Sequence, residues 1–434
     1  MLNLLVVMVD CLRQDRFQGA EKTAITPNLD AFLARSISFE TVHSVGSNTT
    51  SVMGSWFTGT YPFVHGLRSF RDRRFTAAVP TMASLLKNAG YRTAATVTEA
   101  LAEAEDLLAG FDEIERRNKK VEAIHDGYGE RARRKLVELN ASAQPWFYFI
   151  HSCELHPDRQ CDPRFKHRRF GRDFFDRSLS SVDHHLGPIF DAVDRDRTVV
   201  VAFGDHGDNL IWEPHGEFLS MIMNRLRGDG RVSALWRLRD WFYRTGLYGS
   251  WKGMLRHNAL FHHDYHVYRF LTHSPLMMAV PGQQPRRVGI PMSSVDAMPT
   301  LLDYLGAPVP RALDGISFAA ILRGESMAAP PRSLYQEVVT DFVLKGRDPA
   351  QLRIPLLRAL VAEEWKFVNS AFDRKITPEL YNLADDPHEL RNLYPARQDS
   401  DLVARLAHEL ETIERSGSVG EVQLGAPVTI GATA

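Results

Sequence analysis

The chain has 434 residues, 52 basic and 53 acidic side chains, and a formal net charge of −1. That length holds one large α/β domain plus a smaller one, and so even a balance gives no global field toward nucleic acid or a membrane surface. The three cysteines, Cys11, Cys153 and Cys161, make no C-x-x-C pair, which argues against a disulfide framework and a cysteine zinc site.

The opening run to Asp10 is short and apolar, without a basic leader or a cleavage site. It predicts a buried parallel strand over residues 3–9, and with no stretch of membrane-spanning length it places the protein in the cytoplasm. Helices are predicted at 27–35, with Pro27 in the first turn, at 50–58, ended by Gly59, and at 81–89, ended by Gly90. A strand follows at 92–98, then helices at 127–140 and 173–192 around a compact apolar strand at 145–151. The β-branched run at 197–203 is the clearest strand and leads into Gly204-Asp205-His206-Gly207. Alternating strands and helices imply a doubly wound, mostly parallel sheet, whose ligands sit outside the carboxyl ends of the strands. Asp10 and Asp205 both fall there.

After about residue 330 the texture changes, with a strand-like run at 358–368 and a helix at 400–415. The expected organisation is therefore a catalytic domain over 1–330, a smaller α+β subdomain with an antiparallel sheet over 331–420, and a loose tail over 421–434.

Three stretches bear chemistry. Asp10 closes the first strand; alone, it reads as a turn cap. Asp205-His206 puts a carboxylate and an imidazole at the end of a buried strand, a pairing that suits manganese, zinc or magnesium better than calcium. Ser47-Asn48-Thr49-Thr50-Ser51 opens a helix. Hydroxyl residues there are commonly caps, but free N–H groups and the positive dipole end also suit a phosphoryl or sulfuryl oxygen. A hydroxyl in that position becomes a usable nucleophile beside a metal.

These stretches, in order, resemble the sulfatase family of the alkaline-phosphatase superfamily. The resemblance runs through Val9-Asp10-Cys11-Leu12-Arg13, Thr26-Pro27-Asn28, Thr58-Gly59-Thr60-Tyr61-Pro62, His65-Gly66, Gly204-Asp205-His206-Gly207, Val295-Asp296 with Pro299, Leu313-Asp314-Gly315, and Glu379-Leu380-Tyr381-Asn382-Leu383. It implies an alkaline-phosphatase-like sheet flanked by helices. It also implies a nucleophile ten positions before Gly59, which is Thr49, with Thr50 as the neighbouring alternative on the substrate side. One divalent metal ion (manganese, zinc, magnesium or calcium) is expected on Asp10, Thr49, Asp205 and His206. His156 matches a histidine near the leaving group, and is expected to act as hydrogen-bond donor or general acid. His263, with His262 as a rival, matches the late oxyanion-stabilising residue. His215 is a substrate-side candidate; Arg13 is another, although an ion pair accounts for it equally well.

Typical family members carry a residue oxidised to formylglycine inside Cys-x-Pro-x-Arg. Here Thr49, Ser51 and Met53 stand at the three fixed positions, and no formylglycine is expected. Relatives with threonine act mainly on phosphorus, so the leading expectation is a phosphodiester or phosphonate monoester hydrolase with a covalent Thr49 intermediate. A sulfate-ester hydrolase and a phosphoryl-group transferase are the alternatives, and a non-catalytic binding protein ranks below them. Residues 217–260 interleave basic side chains such as Arg237 and Arg244 with Trp236, Trp241 and Trp251. They are expected to form a helical insertion, a lid over an anionic, partly apolar ester, or a membrane contact. A cluster at Arg68, Arg71, Arg73 and Arg74 is expected at the site mouth. No nucleic acid partner is expected, and relatives imply a homo-oligomer.

Overall fold

The structure is a computed structural model that describes residues 1–118, 122–210, 263–339, 357–371 and 377–416. His215, His262, the 217–260 segment and the 421–434 tail lie outside the described residues.

The strands of the large sheet are β1 (Asn3–Val9), β2 (Ile37–Phe39), β4 (Arg92–Thr98), β5 (Glu113–Arg117), β6 (Trp146–Ser152), β7 (Thr198–Phe203), β8 (Leu276–Ala279) and β9 (Arg286–Val288). A two-stranded pair joins β3 (Val42–His43) to β10 (Met292–Ser293). The strands β11 (Leu334–Val338), β12 (Leu357–Ala362), β13 (Trp365–Asn369) and β14 (Glu379–Asn382) form an antiparallel sheet. The principal helices are α1 (Pro27–Ala34), α2 (Thr49–Thr58), α3 (Met82–Asn88), α4 (Gly129–Asn140), α5 (Phe174–Asp191), α6 (Ala297–Leu305) and α7 (Asp401–Ser416).

The large sheet has the order β5-β4-β6-β1-β7-β8-β2-β9. Among the described residues, only its β8 pairings are antiparallel. β1 sits near the middle and is buried throughout, as its unbroken Leu/Val/Met run requires. Leu4, Val6 and Met8 pack on one face against Met53, Trp56 and Phe57 of α2. Leu5, Val7 and Val9 pack on the other against Leu136 of α4 and Leu179, Val182 and Leu186 of α5. Two apolar faces per strand account for helices on both sides. The chain crosses from β1 to β6 on one side and β7 on the other, so their carboxyl ends line one crevice.

The antiparallel sheet packs with α7 through Tyr335, Leu360, Phe367, Leu406 and Leu410, and the same cluster takes in Val45, Val52 and Tyr61 around α2. Glu337 N donates to Val45 O at 2.8 Å, so this second sheet reaches the loop that leads into α2. The run at 358–368, expected as one strand, is a hairpin. Glu363 takes φ +55 between β12 and β13, and the exposed Glu363-Glu364 pair supplies the turn that apolar patterning hid. Among the described residues, no helix is long and apolar enough to cross a membrane.

Candidate metal centre and active site

Asp10 follows β1 directly, and its amide donates to Ser152 O of β6 at 2.8 Å. Asp205 follows β7 across Gly204. Its Oδ1 is engaged by the amides of Cys11, at 3.1 Å, and His206, at 2.8 Å. Cys11 takes φ +62 to make this crossing. A Cβ on Gly207 would stand 1.9 Å from Phe270 O, so only glycine fits there. These constraints turn the His206 ring inward, where it is fully buried.

The His206 ring is oriented by its own turn. Nδ1 lies 2.8 Å from Gly207 O, and a carbonyl only accepts, so Nδ1 carries the proton. Nε2 therefore presents a lone pair, as metal-ligating histidines do. It lies 3.2 Å from Thr49 Oγ1, 3.4 Å from Asp205 Oδ2 and 3.9 Å from Asp10 Oδ1. Those two carboxylate oxygens are buried with no hydrogen-bond partner among the described residues. Orphaned buried oxygens are costly. Donors about 2 Å from one ion stand roughly 3–4 Å apart, so Asp10, Asp205, His206 and Thr49 fit a single divalent cation.

A second grouping shares His206, with Cys11 Sγ at 3.9 Å from its Nδ1 and 4.0 Å from His263 Nδ1. The Gly207 carbonyl already occupies that nitrogen. Burial, reinforced by Asp10, Asp208 and Asp205, also pushes the Cys11 thiol up, which keeps it neutral. The Nε2 side is the better cation position.

Electrostatics match this layout. Burial opposes ionisation of Asp10, yet the His151 hydrogen bond and the imidazoles of His156, His206 and His151 hold its carboxyl well below the usual range. Burial raises the Asp205 carboxyl; His206 opposes the rise and Asp10 adds to it. Burial works against protonation of His206, but Asp205 and Asp10 outweigh it and raise its pKa. A divalent charge between the two aspartates would relieve their repulsion.

Thr49 is the first residue of α2. Asn48 caps the helix, accepting from Ser51 N at 2.9 Å, and its amide group donates to Asp264 Oδ1 at 3.3 Å. Thr49 is partly exposed at the mouth; Thr50 is buried beside it. His263 and His156 continue outward from His206, with ring centroids 4.7 Å and then 5.1 Å apart. His263 Nδ1 lies 3.5 Å from Asp208 Oδ1, and burial drops its pKa to about 4. His156 Nδ1 lies 2.7 Å from Asp158. Arg13 spends its fork on Asp15, at 2.8 and 2.5 Å, and on the Asp208 carbonyl at 2.8 Å. That geometry is the ion pair rather than an open anion clamp. Arg68, Arg73 and Arg74, expected at the mouth, pair with Glu337, Glu103 and the Glu105/Asp106 pair.

Sequence reading passed over Asp208, paired at 2.5 Å with buried Arg159, and His151, 3.4 Å from Asp10 Oδ2. The positional rule that singled out Asp10 and Asp205, a polar side chain closing a central strand, applies equally to His151.

The Sulfatase family model matches residues 2–307, which is most of the chain. The chain belongs to the sulfatase family. The model for the C-terminal part of N-sulphoglucosamine sulphohydrolase matches residues 258–416 of this sulfatase-family chain. Bos taurus arylsulfatase K is 26% identical over 148 residues, covering 34% of this chain and 26% of its own. Bos taurus N-acetylglucosamine-6-sulfatase is 25% identical over 174 residues, covering 34% and 30%. The chain thus spans under a third of either relative's length. Two solved phosphonate monoester hydrolases share the fold nearly end to end. That of Agrobacterium radiobacter superposes with TM-score 0.70 at 16% identity over 96% of both chains. That of Silicibacter pomeroyi superposes with TM-score 0.67 at 19% identity over 96% of this chain and 95% of its own. Sulfatase-family enzymes use a divalent metal ion, and the donor set described above is where this chain can hold one.

Proposed function

We propose that this protein is a metal-dependent hydrolase of singly charged esters, sulfate monoesters first, with Thr49 as nucleophile. The observation that carries this reading is the convergence of the Thr49 hydroxyl, His206 Nε2 and two orphaned carboxylate oxygens on one point. The relatives matched by sequence, which are sulfatases, weigh toward sulfur, against the phosphorus preference drawn from threonine alone. The phosphonate monoester hydrolases that share the fold keep phosphonate monoesters and phosphodiesters as the second reading.

Charge supports both readings. Asp10 and Asp205 would balance a divalent cation, and Asp208 is matched by Arg159. Among the described residues, what remains for the substrate is the partial positive charge at the α2 N-terminus, the neutral His263 and the His156–Asp158 pair, which has no net charge when His156 is protonated. Such a site suits the one negative charge shared by sulfate monoesters, phosphodiesters and phosphonate monoesters. It suits the doubly charged phosphomonoester less well.

Asp10, Asp205, His206 and Thr49 would hold the cation, and the mixed carboxylate–imidazole set favours manganese, zinc or magnesium over calcium. A bound cation supplies Lewis acidity to the reacting centre. Thr49, partly exposed, gives its hydroxyl proton to solvent, and Oγ1 attacks the central sulfur or phosphorus in line; its bond forms as the bond to the alcohol oxygen breaks. The departing oxygen takes a proton from the His156 imidazolium, whose charge is balanced by Asp158, 2.7 Å from its Nδ1. Water, passing a proton back to His156, then attacks the sulfur or phosphorus, the bond to Thr49 Oγ1 breaks to release the acid, and Oγ1 regains a proton from solvent. The first-turn amides of α2 and the neutral His263 stabilise the equatorial oxygens.

The test is turnover of aryl sulfate, phosphodiester, phosphonate and phosphomonoester by chelator-stripped and metal-restored protein. We expect the three monoanionic esters to outpace the phosphomonoester, and activity to depend on metal. Fastest turnover of the phosphomonoester, or activity indifferent to chelation, would overturn the proposal. A phosphodiester rate above the sulfate rate would favour the second reading.

A further inference from the structure

We propose that His151 is a positioning residue for the metal centre, fixing the Asp10 carboxylate so that Oδ1 faces the cation. The inference rests on the metal-centre reading above. β6 runs beside β1 in the register Met8 with His151 and Val9 with Ser152. This brings the His151 ring level with the carboxylate that closes β1. His151 Nε2 lies 3.4 Å from Asp10 Oδ2, and its Nδ1 lies 3.2 Å from Thr98 Oγ1 at the end of β4. The ring is buried. A carboxylate only accepts, so Nε2 carries the proton and Nδ1 accepts from the Thr98 hydroxyl. Three adjacent strands thus supply one relay, Thr98 to His151 to Asp10.

The consequence is geometric. A carboxylate turns easily about its terminal torsion, and either oxygen could face His206. Holding Oδ2 leaves Oδ1, the atom 3.9 Å from His206 Nε2, committed to the cation. Hydrogen-bond partners of metal-binding carboxylates commonly set affinity in this way. The His151 backbone is anchored independently of its side chain, since its carbonyl accepts from Tyr128 at 3.0 Å and Arg117 at 3.3 Å. Side-chain variants therefore keep the strand in place.

The experiment is Mn²⁺ binding to metal-free protein, followed by titration calorimetry and by electron spin-echo envelope modulation. His151→Leu is expected to weaken Mn²⁺ binding about 10- to 100-fold. His151→Gln, whose amide can still donate to Oδ2, is expected to restore most of that loss, with both variants melting near wild type when metal-free. Thr98→Val is expected to weaken binding in the same direction, and it decides the matter if His151→Leu does not fold. The wild-type spectrum should show one directly bound imidazole nitrogen, from His206. Unchanged Mn²⁺ affinity in the leucine variant, or in Thr98→Val where that must stand in, overturns the positioning role alone. Two bound imidazoles, with the second lost in His151→Leu, overturn it in favour of direct ligation. A wild-type protein that binds no divalent cation removes the metal centre and His151's role together.

Discussion

Thr49 is where the chemistry meets a structural constraint. Its hydroxyl stands 3.2 Å from His206 Nε2 at the first position of α2, and its Cβ methyl distinguishes it from serine. Oxidation of this side chain would give a ketone, not the aldehyde of formylglycine, so in the proposed function the unmodified hydroxyl is the nucleophile. Thr49→Ala should therefore lower kcat by about a thousand-fold or more while leaving the melting temperature within a few degrees of wild type. Thr49→Ser should retain most turnover. Steady-state kinetics on the best monoanionic ester decide this, and an alanine variant with near-normal kcat would exclude Thr49 as nucleophile. Asp10, Asp205 and His206 could be placed at the carboxyl ends of strands from the pattern of the chain, while Thr49 and the grouping of all four came from the family resemblance. Asp208 and His151 were harder to read. Their meaning lies in partners, Arg159 and Asp10, that are 49 and 141 positions away, and a single histidine ending an apolar strand has no local signal to separate it from a core residue.

At the scale of elements, α2 owes its placement to both ends. Gly59 closes it at φ +68, the left-handed geometry that suits glycine. At the other end Asn48 holds the Ser51 amide and also reaches Asp264, while Asp264 N donates to Ser47 O at 3.0 Å. The cap thus joins α2 to the segment that carries His263. Asn48→Ala should cost about 1 kcal/mol in urea unfolding from the lost cap, with a fall in kcat larger than that loss of stability implies. Asn48→Ser keeps a cap acceptor without setting a second carboxylate against Asp264 and should recover most of the stability, but its short side chain does not restore the donation to Asp264. Equal kcat in both variants and wild type would show that this junction does not position the site. Elements with a sustained period, such as β1, β7, α5 and α7, were legible in the sequence. The two- and three-residue strands β2, β3, β9 and β10 were not, because pairing across the sheet, rather than local propensity, makes them strands.

The whole molecule carries an acid sensitivity that follows from burying imidazoles in several places. Burial holds His43 well below its ordinary value, drops His65 to about 3 and puts His273, like His263, at about 4. Each titrates near 6.5 once the chain unfolds. Between those values the unfolded chain binds protons that the folded chain refuses. Stability present above about pH 6.5 is therefore lost as the pH falls toward the folded values. His206, raised by Asp205 and Asp10, and the burial-raised carboxyls of Asp176, Asp183 and Asp296 work in the opposite sense. A total slope thus mixes both signs, and a single buried histidine gives the cleaner test. His65 lies against α2, where a Cβ on Gly54 would meet its ring at 2.3 Å. Its Nε2 faces Ser55 Oγ at 3.1 Å, and its Nδ1 accepts from Leu67 N at 3.1 Å. Protonation would turn that acceptor into a donor against a donor. His65→Gln should start less stable at pH 7 and lose stability more slowly in acid. The difference in slope from wild type should approach 1.4 kcal/mol per pH unit between about pH 6 and pH 4. Urea unfolding across that range measures it, and parallel curves for the two proteins would mean that His65 takes up its proton in the folded state.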